Sequence, residues 1–125
     1  MKSFEAKNVR KNFGGVEALK NADFKMEGAQ ISGLVGANGS GKTTFARICA
    51  GLVRADNAEI FIDGKSAVIN TPLDAKKFGI VLVHQNLSLI PDLSVWENIN
   101  LSNEKRSKGP FLDNRYAKEL ARKVL

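Results

Sequence analysis

Gly36, Ala37, Asn38, Gly39, Ser40, Gly41, Lys42 and Thr43 set two glycines, with four residues between them, ahead of a lysine and a threonine. That spacing suits the binding of a phosphate chain. Gly36, Gly39 and Gly41 permit backbone angles that other residues avoid and let the chain come close enough for its amides to ring a phosphate oxygen. Lys42 supplies a point charge for β and γ phosphates. At about 4 Å, in an effective dielectric of roughly 20, one such contact is worth about 4 kcal/mol before desolvation. Thr43 offers a hydroxyl to Mg²⁺, which completes its shell with phosphate oxygens and water. The plainer alternative is a glycine-rich turn that merely joins strand to helix, so the flanks decide.

Both flanks fit the chemistry. Ile31, Ser32, Gly33, Leu34 and Val35 are expected to form a buried strand, and Phe45, Ile48, Cys49 and Leu52 fall on one face of a helix. The loop therefore opens onto a helix N-terminus, where free amides and the positive end of the dipole favour an anion. Around this unit, residues 4–9, 16–19 and 22–26 read as short strands broken at Gly14, Gly15 and Asn21. Residues 59–62 with Asp63 and Gly64 read as a strand and tight turn, with residues 67–69 as partner. Residues 73–77 suit a short helix, and Ile80, Val81, Leu82 and Val83 read as a central parallel strand covered on both faces. Residues 93–101, with Ser94 and Glu97 as a capping box, and residues 113–125 are expected to be helices.

Composition limits what the loop can belong to. The 125 residues match one ordinary domain, and 43% hydrophobic content suits a folded chain rather than a disordered one. The longest apolar run, residues 80–83, is far too short to span a membrane, and the first residues lack an apolar signal region, so a cytosolic chain is expected. The single cysteine, Cys49, cannot form an internal disulfide and reads as a buried structural thiol. The net charge of +6, densest from Lys105 to Arg122, suits anionic partners or simply a solvated surface. Aromatic residues do not alternate with the basic ones as on a single-strand-binding surface, and no nucleic-acid partner is expected.

The order of the pieces from Phe13 through the loop to Gln85 resembles the ATP-binding subunits of ABC transporters. The stretch from His84 to Ile99 is similar to the monosaccharide-importer branch, and the resemblance covers the chain from about Val9 to Leu125. It implies an α/β fold: a P-loop NTPase core of ABC type with an antiparallel β subdomain and the start of a helical subdomain, truncated. Residues 1–30 and 57–70 would form the β subdomain, 31–56 and 71–85 the P-loop core, and 86–125 the start of the helical subdomain. The resemblance further implies ATP and Mg²⁺ as ligands. Phe13 would stack on adenine and Ala18 would line the same pocket. Residues 36–44, Thr44 included, would hold the phosphates, and Lys42 and Gln85 would be catalytic. Thr43 and Gln85 would hold the metal, with Gln85 linking the nucleotide to a permease. Ile90, Leu93 and Trp96 are candidates for contact with the permease, with Trp96 and Ile99 as core of their helix the alternative. Further implied partners are a second ATPase domain closing head to tail and an external sugar-binding protein, and the implied place is cytoplasmic, on the inner face of the membrane.

Departures from the family pattern are as informative. No Leu-Ser-Gly-Gly-Gln signature occurs, nor a Walker B aspartate followed by a glutamate, nor the later switch histidine. Asp63 imitates a Walker B aspartate, but Gly64 follows it, so Asp63 is read as a turn residue. The single histidine, His84, is read as structural, and Asn57-Ala58 stands where the family has a Ser-Gly turn. The apolar stripe of Leu112, Tyr116, Leu120 and Val124 runs to the end without a stop signal, so the chain reads as the N-terminal part of a longer subunit. Weak ATP binding and no steady hydrolysis are expected of it alone. Two other functions compete with sugar import: an ABC-type ATPase acting on ribosomes or nucleic acid, and a non-catalytic nucleotide-binding fragment. A GTPase is disfavoured, because no Asn-Lys-x-Asp motif occurs.

Overall fold

The computed structural model describes residues 1–84, 89–101 and 113–124. They fall into two compact units, Met1–Val83 and His84–Leu125. The first is built on a four-stranded sheet of β1 (Ser3–Phe13), β2 (Val16–Glu27), β3 (Asn57–Ile62) and β4 (Lys65–Ala67), in the order β2-β1-β3-β4 with every pairing antiparallel. Two-residue turns close both hairpins. Gly14 and Gly15 have φ of 55° and 97°, and Asp63 and Gly64 have 53° and 74°, the left-handed pair that matches the twist of a hairpin. The tight second turn starts pairing at once, Ile62 against Lys65, so β4 ends at Ala67 rather than continuing over residues 67–69.

β1 changes face through a bulge. Phe4 and Ala6 point into the core, and so does Val9, because Asn8 at φ 55° takes up the odd residue and shifts the register. The bulge is held on three sides. The Asn8 amide donates to Asp23 Oδ1 at 2.7 Å, its Nδ2 donates to Glu59 Oε1 at 2.8 Å, and its carbonyl accepts from Asn57 Nδ2 at 3.0 Å. The break expected at Asn21 is absent for a related reason. β2 runs unbroken, and the mismatch appears as a register shift between the pairs Val9–Ala22 and Lys11–Leu19.

α1 (Lys42–Cys49) covers the apolar face of the sheet with Phe45 and Ile48. Phe45 meets Phe24 edge-on at 5.6 Å, an aromatic pair worth about 1 kcal/mol beyond its buried area. The helix stops at Cys49, so Leu52 is exposed instead of completing the expected stripe. Burial pushes the Cys49 thiol up to about 12, as suits a structural thiol. α2 (Pro72–Lys77) starts from Thr71, whose hydroxyl receives the Asp74 amide while the Asp74 carboxylate receives the Thr71 amide at 3.1 Å.

The central strands expected over residues 31–35 and 80–83 are not formed. A strand needs a hydrogen-bonded neighbour, and among the described residues neither segment has one. Both keep a two-residue alternation nonetheless. Leu34, Ile80 and Leu82 line an apolar cleft of about 360 Å³ beside Phe45 and Cys49, with Val81, 76% exposed, at its rim, while Ile31, Val35 and Val83 are 104%, 94% and 81% exposed.

In the second unit, α3 (Val95–Asn100) opens on the expected capping box, the Ser94 amide donating to Glu97 at 2.8 Å. It packs on α4 (Asn114–Val124), whose first turn is capped by Asp113 accepting the Tyr116 amide at 3.0 Å. Asn100 is buried between the helices and its Nδ2 donates to the carbonyls of Trp96 and Ala117 at 2.6 and 2.9 Å. Ala121 is buried on α4, while Tyr116 and Val124 of the expected stripe are exposed. Leu112 lies outside the described residues.

Candidate functional site

The loop from Gly36 to Gly41 is pressed against β2. A Cβ on Gly41 would lie 2.5 Å from the Ala18 carbonyl oxygen and 2.6 Å from Leu19 Cδ2, and its φ is +87°. Only glycine meets both conditions, so Gly41 fixes where the loop crosses the strand. This contact brings Ala18 to the loop through its backbone. Gly39, at φ 82°, sits in the turn closed by the Ser40 amide on the Ala37 carbonyl at 3.2 Å.

Gly41 is also the N-cap of α1 and offers it no side chain. The first helical bond runs from the Phe45 amide to the Gly41 carbonyl at 2.8 Å, so the amides of Lys42, Thr43 and Thr44 open the helix without a cap. An anion there meets these donors and the positive end of the dipole together. Lys42 bends back over its own loop, its Nζ donating to the Gly36 and Ala37 carbonyls at 2.7 Å each and to Ser40 Oγ at 3.3 Å. The ammonium thus sits among neutral carbonyls, and a phosphate oxygen would exchange dipoles for a full opposite charge. Asn38 and Thr43 are exposed and Thr44 is half-buried. A cleft of about 230 Å³ lies beside the loop, lined by Leu34, Gly36, Ser40, Lys42, Phe45 and Asp23 among others.

Phe13 stands at the end of β1, 48% exposed, with Lys11 Nζ 5.2 Å from its ring centroid. It pairs with Val16, two residues before Ala18 on β2. The strand rise sets it about 7 Å along the strand from the point where the loop touches Ala18. Gln85 lies outside the described residues, as does the first part of the basic stretch from Lys105 to Arg122, residues 105–112. His84 is exposed and no strand forms at that position.

Asp63 is fully engaged in the fold. Its Oδ1 accepts from the amides of Ser3 and Lys2 at 2.9 and 2.5 Å, and these bonds hold its carboxyl below the usual range. Trp96 is half-buried with Lys118 Nζ 5.2 Å from its ring centroid, Leu93 is half-buried and Ile90 is 43% exposed. Two further groups carry no mark in the sequence. Asn98 ties down the turn before α3, accepting from the Ile90 amide at 2.9 Å and donating to the carbonyls of Ile90, Leu93 and Ser94. Lys11 pairs with Asp56 at 2.9 Å across 45 residues of sequence. No short motif links either set.

Residues 19–124 match the family model described as ABC transporter. The ribose import ATP-binding protein RbsA of Rhodopirellula baltica is 38% identical over an alignment of 125 positions that covers 97% of this chain and 24% of that protein. Ribose import ATP-binding protein RbsA 1 of Rhizobium johnstonii is 40% identical over 122 residues, 98% of this chain and 24% of its own. The chain therefore spans 24% of the length of each of these two curated relatives. Among solved structures, the dimeric post-hydrolysis state of the ATP-binding cassette MJ0796, bound to ADP and Pi, superposes with a TM-score of 0.67 at 27% identity, covering 96% of this chain and 54% of that one. The ADP conformation of MJ1267, an ATP-binding cassette of an ABC transporter, gives 0.72 at 25% identity, covering 86% and 43%.

Proposed function

We propose, because this chain belongs to the ABC transporter family, that residues 36–44 hold the phosphates of ATP and that the whole subunit uses that ATP for sugar import. The observation that carries the proposal is the loop itself: Lys42 Nζ poised over its carbonyls at an uncapped helix N-terminus. Phe13 would stack on the adenine, and Ala18 would line the same pocket. Base–aromatic stacking is worth about 1–3 kcal/mol. Thr43 fits a role as Mg²⁺ ligand, since its residue is exposed on the first turn beside Lys42 and a single hydroxyl is what a phosphate-bound Mg²⁺ asks of the protein. Gln85 would be its second ligand. When bound, the metal neutralises charge on the phosphates.

In the whole subunit, Lys42 and the loop amides would stabilise charge on the transferring phosphoryl group, and Gln85 would orient the attacking water. Partner surfaces follow the same proposal. The region after Gln85 would receive a permease, a second ATPase domain would close head to tail over the loop, and a sugar-binding protein would deliver the cargo from outside. The subunit would then work on the cytoplasmic face of the membrane. The names of the ribose import relatives support import as the direction and a monosaccharide as the cargo.

Calorimetric titration of the chain with Mg²⁺-ATP tests the core of the proposal. Saturable binding is expected, at least about tenfold weaker in Lys42→Ala, a loss of about 1.4 kcal/mol. Equal affinity in both, with circular dichroism showing both folded, would refute the role of the loop. The 125 residues hold no signature, Walker B pair or switch histidine, so binding without turnover is expected of this chain.

A further inference from the structure

We propose that Lys11, fixed by Asp56, is a positioning residue that holds the Phe13 ring ready for the nucleotide base. The inference rests on the adenine-stacking role of Phe13 proposed above and adds the residues that make the platform rigid. Lys11 and Phe13 are two residues apart on β1 and so lie on one face of the strand. The Lys11 side chain is only 16% exposed, which is deep for a lysine, and its Nζ reaches Asp56 Oδ1 at 2.9 Å. Asp56 is fixed in its turn. Its Oδ2 accepts the Asn12 amide at 2.6 Å and its own amide donates to the Arg10 carbonyl at 2.9 Å, so three successive residues of β1 hold it. The ammonium thus has a defined place 5.2 Å from the Phe13 centroid, within cation–π range.

A phenylalanine at the end of a strand, next to a glycine turn and half in water, must lose rotamer freedom when a base stacks on it. The Lys11 ammonium covers one face of the ring and has already removed part of that freedom. The residue is 48% exposed, which leaves ring surface for a base. Holding a binding group in its bound geometry improves affinity without any new contact to the ligand. The phosphate loop takes no part, so the effect belongs to the base and not to the triphosphate.

That separation supplies the test. ATP and inorganic tripolyphosphate are titrated with Mg²⁺ into the chain and its Lys11→Met variant at about 0.15 M salt, where the Debye length of about 8 Å screens the lost charge. Lys11→Met is expected to weaken ATP binding roughly two- to tenfold and to leave tripolyphosphate unchanged. Lys11→Arg keeps the cation and is expected to retain ATP affinity, and Lys11→Met is expected to add nothing in a Phe13→Ala background. ATP affinity unchanged in Lys11→Met, or equal losses for ATP and tripolyphosphate, would overturn the inference. Phe13→Ala separates the two ideas: a loss of ATP affinity there keeps the stacking role when Lys11 fails, and no loss removes both. Should Lys11→Met melt early, Asp56→Asn frees the ammonium without removing it, and it is expected to weaken ATP in the same direction; unchanged ATP affinity in that folded variant would overturn the inference.

Discussion

Gly41 carries two separate constraints, and they can be weighed apart. Its φ of +87° alone makes any side chain costly, and the Ala18 carbonyl, 2.5 Å from where a Cβ would sit, adds a clash with backbone that cannot rotate away. Gly14 has the first constraint without the second, with φ +55° and nothing within 4 Å of its Cβ position. Gly14→Ala is therefore expected to cost about 1–2 kcal/mol, while Gly41→Ala adds an overpacking cost of about 1–3 kcal/mol and displaces the loop from β2. Chemical denaturation of both variants measures the difference, and equal losses would show that the loop yields freely. The loop residues are legible in sequence because phosphate binding needs glycines, lysine and threonine at fixed local spacing. The Ala18 contact is not, since it joins residues 23 apart through a tertiary crossing, and the Lys11–Asp56 pair is hidden for the same reason.

Elements held by local bonds are legible in the sequence, and those that need distant partners are not. The Ser94–Glu97 box is complete within four residues, and α3 begins where it says. Residues 31–35 and 80–83 are apolar enough for buried strands, yet a ladder is made by neighbours, and the described residues supply none. Carboxylates held by local and by distant partners alike make acid the weak side of the fold. Asp56 is held below its usual range first by Lys11, Asp63 by the Ser3 and Lys2 amides, Asp74 by Thr71 and Lys77, and Glu97 by Ser94. A carboxyl lowered by folding contributes stability that is present above its unfolded value, near pH 4, and lost as pH falls through the lowered folded values. Thermal melting is expected to be nearly flat from about pH 5 to 7 and to fall steeply below about pH 4. Asp63→Asn should melt lower at neutral pH and respond less to acid. A melting temperature that holds to about pH 3 in the parent chain would contradict this assignment of the carboxylates.

At the scale of the whole molecule, bare apolar backbone opposes net charge. Ile31, Val35, Val81 and Val83 present large aliphatic side chains to water on segments whose backbone groups have no paired strand among the described residues. Surfaces of that kind favour association, both by apolar burial and by strand pairing. The net charge of +6 works against it, because copies of a basic chain repel one another at low ionic strength. Salt shifts the balance in a known direction. Raising ionic strength from about 0.01 to 0.15 M shortens the Debye length from about 30 to 8 Å and removes most of the repulsion while leaving apolar burial intact. Self-association is therefore expected to grow with salt, seen in sedimentation velocity as a rise in the weight-average coefficient with concentration. Val35→Lys with Val81→Lys should suppress it and change stability by less than about 0.5 kcal/mol each, since neither side chain packs against the core. A chain that stays monomeric at every salt concentration would mean that these faces fold away in solution. Association that falls with salt would instead point to charge pairing between copies, and would move the interface from the aliphatic segments to the charged surface of the sheet.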